Sequence, residues 1–149
     1  STYMDSFYLE DVLVDADALV AIAKHDDTNH NKALLIESKL QQKGVVFYFS
    51  PFTVAEAVTV ISHKVSQKVA KEFLKEIREL DIAVFELPEK YKLLADKWFG
   101  KQNKKGASYF DCYNMALLDR YKNQVAAIFS FDEVYKKNGF ALAQDLVLN

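Results

Sequence analysis

Short apolar runs, too brief to be helices, alternate along this chain with segments of helical period, and that alternation limits the fold more than any other feature. The runs VLV (12–14), VVFYF (45–49), IAVFEL (82–87) and VAAIFS (125–130) have the β-branched and aromatic character of buried strands. Helical signals lie between them. ALVAI follows the first run and continues to about Lys24. A helix capped by Thr28 or Asp27 runs to Lys43 and stops at Gly44. Ser50-Pro51 is an N-cap followed by proline at the first helical position, which starts a helix over 51–65. In residues 66–80, Val69, Phe73, Ile77 and Leu80 form one apolar stripe. Pro88 opens a helix to about Phe99, residues 100–108 form a linker, and a helix covers 108–121. A short helix ends at Gly139, and FALA (140–143) reads as a final strand. Strands alternating with helices call for a mostly parallel sheet covered on both faces, an α/β/α sandwich. Residues 1–149 make one domain of this kind, long enough to bury about two-thirds of the surface its unfolded form exposes.

Composition narrows the function classes. Half of the residues are hydrophobic, with four Gly and two Pro, so the chain is compact and not a disordered tail. A net charge of −2 and a pI near 5.9 argue against a general basic surface for nucleic acid. They leave room for a protein that meets phosphate through metal ions and a few placed lysines. The single cysteine, Cys112, forms no internal disulfide and fits a reducing cytosol. Apolar stretches are shorter than a transmembrane helix, and no charged-then-apolar segment opens the chain. The expected setting is cytoplasmic, away from membranes. Met4 fits a natural start, with residues 1–3 as an added leader.

Several acids do not belong where they stand. Asp15 and Asp17 interrupt VLVDADALVAI, and an unpaired buried carboxylate takes up a proton or finds a partner. An Asp that ends a strand and caps the next helix is the plain alternative. Glu56 lies opposite Val54, Val58, Ile61 and Val65, yet its own side carries Phe52, Thr53 and Val60. A helix apolar on both sides is buried on both sides, unless Glu56 is an exposed residue with greasy neighbours. Asp111 falls in the row of Met115 and Leu118, on a helix whose other faces carry Phe110, Tyr113, Leu117 and Tyr121; there it also suits the helix dipole. Asp119, about 80° round from it, marks the solvated side. Asp132 follows the fourth strand by two residues, where Ser130 or Asp132 would also start the short helix. Ligands of parallel sheets gather beyond the carboxyl ends of the strands, the edge where both Asp15 and Asp132 lie.

Suppose these acids converge. Two carboxylates about 4 Å apart repel by roughly 4 kcal/mol at an effective dielectric near 20. No lysine or arginine is expected near them except Arg120, on the far side of its helix. Hard oxygen ligands without His or Cys select Mg²⁺ or Mn²⁺, and such ions suit phosphoryl chemistry, binding the phosphate and activating a water.

Asp15-Ala16-Asp17 after a strand resembles the first motif of haloacid-dehalogenase-like phosphatases, but after IFSFD (128–132) too little chain remains for that family's later motifs. The sequence instead resembles a PIN domain, most of all the VapC-like toxins of toxin–antitoxin pairs. The resemblance runs through VLVDADALVAI, HDDTNHNKA (25–33), SPFTVAEAVTVI (50–61), SYFDCYNMALL (108–118) and FSFDEVYKKNGF (129–140), over residues 11–142. It implies a PIN-like α/β/α sandwich and Mg²⁺- or Mn²⁺-dependent cleavage of RNA. By position Asp15, Glu56, Asp111 and Asp132 match the family's acids, which are both its catalytic residues and its metal ligands. Ser130 matches the supporting hydroxyl. Asp17 departs from the family's usual Asn or Ser and is either an extra ligand or a cap. The stretch 66–105 matches only in being helical. The resemblance further implies an antitoxin partner and a homodimer.

Two other readings remain. One is a PIN-fold nuclease of RNA processing or DNA metabolism; the other is a catalytically silent module that binds metal or a partner. His25, His30 and His63 read as structural or surface residues, Cys112 as a small core hydrophobe, and Phe47, Tyr48 and Phe49 as strand core. Lys104 and Lys105, in KQNKK (101–105), are candidates for RNA phosphates, against the plainer reading of a solvated loop.

Overall fold

The structure is a computed structural model that describes residues 11–148. The expected start at Met4 and the leader before it lie outside the described residues. Four strands, β1 (Asp11–Val14), β2 (Val46–Phe49), β3 (Ala83–Val84) and β4 (Val125–Phe129), form a parallel sheet in the order β3-β2-β1-β4. Among the described residues eight α-helices cover it: α1 (Ala16–Ala23), α2 (His30–Gln42), α3 (Thr53–Lys64), α4 (Gln67–Glu79), α5 (Leu94–Gly100), α6 (Tyr109–Arg120), α7 (Val134–Lys137) and α8 (Ala143–Val147).

Alternation along the central strands divides the interior. Val12 and Val14 of β1 pack with Ala127 and Phe129 of β4 against α1, α2, α3, α4 and α8. Leu13 and Ile128 point the other way, against α5, α6 and α7. Side chains of period two thus build two cores on one sheet, the expected three-layer sandwich. On the first side, an apolar groove of about 690 Å³ lies between the sheet residues Val14, Phe49 and Phe129 and the α4 residues Val69, Phe73 and Ile77.

The order of the strands places the site. The chain moves outward from β1 to β2 and β3, then returns to pair β4 on the opposite edge of β1. Loops leaving β1 and β4 therefore part in opposite directions, which opens a crevice beyond the carboxyl end of β1.

Several sequence expectations change at their edges. The N-cap position of α2 is Asn29, whereas Asp27 accepts from the Asn29 N–H at 2.8 Å. The helix expected from Pro51 begins at Thr53, because Ser50 and Thr53 first close a turn on themselves. Thr53 Oγ1 accepts from the Ser50 N–H at 3.0 Å and donates to Ser50 Oγ, which accepts from the Phe52 N–H. Leu80, placed in the α4 stripe, is 65% exposed, and Ala70 is buried in that helix instead. Strand β3 is confined to two residues. The helix after Pro88 splits into a 3₁₀ turn (Glu89–Tyr91) and α5. FALA forms only a bridge from Leu142 to Ile128 before α8 begins at Ala143. Asp119, expected on the solvated side, is half-buried and accepts from the Trp98 indole N–H at 3.0 Å.

The Ser50–Thr53 turn aims α3, and through it Glu56, at the crevice. Thr53 is buried, so Thr53→Val keeps the shape but strands the Ser50 N–H. Urea unfolding should show a loss of about 1–3 kcal/mol, the cost of an unsatisfied buried donor.

Candidate functional site

A cavity of about 310 Å³ sits in the crevice, and Asp15, Asp17, Glu56, Asp111 and Asp132 all line it. Residues far apart in sequence are brought there by different elements. Asp15 is the residue between β1 and α1, held in sheet register by its N–H donating to the Phe129 carbonyl at 3.0 Å. It is also the N-cap of α1, and its Oδ1 accepts from the Ala16 N–H at 2.8 Å. Asp17 is therefore not the cap. From the first turn of α1 its Oδ2 reaches the β4–α7 loop, accepting from the Phe131 N–H at 3.0 Å and lying 3.2 Å from Ser130 Oγ. Glu56 comes from the first turn of α3. Asp111 belongs to a capping box at the start of α6: Ser108 Oγ accepts from the Asp111 N–H, and Asp111 Oδ2 accepts from the Ser108 N–H, each at 3.0 Å. Asp132 accepts from the Val134 N–H at 2.9 Å and so shapes the entry to α7.

Ser130 is fully buried and central. Its hydroxyl accepts from the Asp132 N–H at 3.0 Å, and lies 2.9 Å from Asp15 Oδ2 and 3.2 Å from Asp17 Oδ2. One hydroxyl proton serves one carboxylate at a time, so the other contact requires a proton on an acid or a cation nearby. Behind the acids stand two residues the sequence reading missed, Tyr135 and Asn114. Tyr135 OH lies 3.0 Å from Asp15 Oδ2 and 3.2 Å from Asp111 Oδ1, and accepts from Asn114 Nδ2 at 3.0 Å. Asn114 was within reach of a sequence argument, since it sits three residues after Asp111 on one helix face.

The electrostatics follow from crowding and burial. Asp15 is pushed up to about 6, first by burial and then by the Asp111 charge. Asp17 rises to about 8 through burial and the Asp15 charge, against hydrogen bonds from Phe131 and Ser130. Glu56 rises to about 7 through burial and the charges of Asp15 and Asp111. Burial, aided by the Asp132 charge, also raises Asp111. The expected absence of cationic neighbours needs correction. Lys64 lines the mouth of the cavity, in line with Glu56 and Val60 along α3 at a spacing of four residues. Arg120 lies elsewhere, over the Tyr91 ring at 4.5 Å.

This donor set fits a hard divalent cation. The acids share one cavity, their charged forms are disfavoured by burial and by one another, and Asp17 Oδ1 is buried without a hydrogen-bond partner. The fit is open and not closed: among the described residues, no three His, Cys, Asp or Glu side chains already surround one point. No histidine lines the cavity; His30 Nδ1 instead lies 2.8 Å from the Ala21 carbonyl oxygen. Lys104 and Lys105 are exposed and do not line it either.

No family model matches the chain, and no curated protein matches it in sequence. Among solved structures it is similar to VapC20 of Mycobacterium tuberculosis, described as a Sarcin-Ricin loop cleaving toxin. The TM-score is 0.73 at 18% identity, over 87% of this chain and 96% of that one. At that identity the two share a fold, and this chain carries the PIN-like sandwich its motifs resemble.

Raised carboxylate values have a definite sign. An unfolded Asp or Glu titrates near 4, so between about pH 4 and pH 8 the folded, ion-free protein holds protons that the unfolded chain has lost. Stability is fully present at the acid end of that window and is lost as the pH rises through the folded values. Asp17→Asn removes a carboxylate pushed up to about 8, above Asp15 and Glu56 beside it. In chelator-treated protein, the melting temperature of this variant should gain on wild type steadily from pH 4 to pH 8. A constant difference across that range would mean that Asp17 titrates normally.

Proposed function

We propose that this chain is a divalent-ion-dependent endoribonuclease and the toxin of a toxin–antitoxin pair, working in the cytoplasm. The observation that carries the reading is the convergence of Asp15, Glu56, Asp111 and Asp132 in one desolvated cavity at the carboxyl edge of the sheet. The fold shared with VapC20 supports it. Asp15, Glu56, Asp111 and Asp132 would hold Mg²⁺ or Mn²⁺, with Asp17 as an additional ligand. When bound, the ion supplies Lewis-acid polarisation of a phosphodiester and a more acidic water.

The chain's own groups do the rest. Ser130 holds Asp15 and Asp17 side by side, and the capping box fixes Asp111 at the start of α6. Lys64, at the mouth, meets the negative charge of an entering phosphate. Flanking phosphates need further contacts, and Lys104 and Lys105, exposed in the loop before α6, would supply them. A silencing partner would cover apolar surface. The larger groove, rimmed by Asp26, Glu37, Glu72 and Glu76, suits an antitoxin segment whose apolar side chains are flanked by Lys or Arg. The reading includes a homodimer. A nuclease of RNA processing or DNA metabolism shares the same cavity; a short antitoxin-like reading frame directly upstream of the gene separates the toxin from it.

Glu56→Gln should abolish cleavage of single-stranded RNA, with ion-free stability held or raised because a repelled charge is removed. A strong loss of stability with cleavage intact would make Glu56 structural. Mn²⁺ should raise the melting temperature of wild type, and much less that of Asp15→Asn; equal responses would mean the acids do not act as one site. Lys104→Ala combined with Lys105→Ala should weaken RNA binding and flatten its salt dependence by about one or two counterions. An unaltered slope returns the loop to a solvated connector.

A further inference from the structure

The acids differ in what holds them. Asp15 and Asp111 come from separate elements, and besides their own local caps they share one partner, the Tyr135 hydroxyl, 3.0 and 3.2 Å away. Tyr135 is among the largest fully buried side chains, and its ring packs in the core beneath α6. Its hydroxyl is turned by Asn114 Nδ2, which donates to it at 3.0 Å and also approaches Asp15 Oδ1 at 3.5 Å. Asn114 is itself buried. That arrangement is demanding. A phenylalanine would fill the same core volume without a polar atom, and a buried hydroxyl is retained at a desolvation cost unless it is bonded. Because the amide donates to the phenol oxygen, the phenol proton is directed at the carboxylates. It is the one donor that both share.

We propose that Tyr135, oriented by Asn114, is a positioning residue that sets the spacing of Asp15 and Asp111 for a divalent ion. The proposal rests on the reading of the cavity as an ion site. Tyr135 does not touch the ion or substrate in this account; it acts through the two carboxylates. Donors behind ligating groups commonly change metal affinity by about 10–100-fold when removed. Without the phenol proton, Asp15 and Asp111 keep their local contacts to the Ala16 N–H and the Ser108 N–H. They lose the tie between them, and their repulsion is free to drive them apart.

The test is calorimetric titration of the full chain with Mn²⁺, for wild type, Tyr135→Phe and Asn114→Leu, alongside melting curves with and without the ion. Tyr135→Phe is expected to weaken Mn²⁺ binding by about tenfold or more, so that its melting temperature falls further behind wild type when the ion is present than when it is absent. Asn114→Leu leaves the phenol in place but removes the amide that orients it, and should weaken binding in the same direction by less. If Tyr135→Phe binds Mn²⁺ like wild type and melts lower by the same margin in both conditions, the hydroxyl is merely structural and the proposal is overturned. Should Tyr135→Phe fail to fold, unchanged Mn²⁺ affinity in Asn114→Leu overturns it. Wild type that takes up no Mn²⁺ removes the cavity reading, and the proposal with it.

Discussion

Asp15 collects hydrogen-bonding groups from regions that the sequence keeps far apart. The Ala16 N–H caps one oxygen, Ser130 and Tyr135 reach the other, and Asn114 stands at the edge of both contacts. Through these bonds the end of β1 is joined to α6, to the loop after β4 and to α7. A buried carboxylate is tolerated only where such partners exist, so the fold has to bring those elements to one place. The reversal of strand order beside β1 provides that place, because two loops diverge there and leave room for side chains between them.

Hydrogen bonds satisfy geometry without balancing charge. Six acids line the cavity, Asp27 at its edge among them, and Lys64 is the only basic residue among the described residues that line it. Protons and a bound cation would therefore compete for the same oxygens. Every proton bound by Asp15, Asp17 or Glu56 relieves the repulsion that a divalent ion would relieve, so on the proposed reading an ion would bind more tightly as the pH rises through the range where these groups let go. The Ser130 and Tyr135 hydroxyls each lie within reach of two carboxylates and can turn toward whichever is ionised.

Much of this was legible in the sequence. Strand β1, the helix start at Ser108 and the isolation of Asp15, Glu56 and Asp111 among apolar residues all carry local signals, and each acid does line the cavity. Periodicity also separated the helices from the strands. Boundaries failed where side chains compete with the backbone, as at Ser50 and Thr53, whose hydroxyls close a turn before the helix can begin. Strand β3 was overcalled because IAVFEL has strand composition, while edge pairing in the structure extends over only two residues. Asp119 misled because helical phase alone does not reveal a neighbour such as Trp98 from α5. Tyr135 left no signal at all: an aromatic residue on a short helix reads as packing, and only three-dimensional proximity shows its hydroxyl between two acids.

One asymmetry among the acids bears on how the cavity receives a guest. Asp111 is tethered at both oxygens, by the Ser108 N–H and by Tyr135, and Asp15 is likewise fixed on both sides. The Glu56 carboxylate has no hydrogen-bond partner among the described residues. Its longer side chain is held in the cavity by no such tie. If the cavity takes up an ion as proposed, the entropy of immobilisation, about 0.5–1.5 kcal/mol for a flexible side chain, would fall mainly on Glu56 of α3. On the proposed reading the cavity is a jaw with one untied tooth: Asp15 and Asp111 would meet an ion already set by their hydrogen bonds, and Glu56 would be ordered by the ion itself.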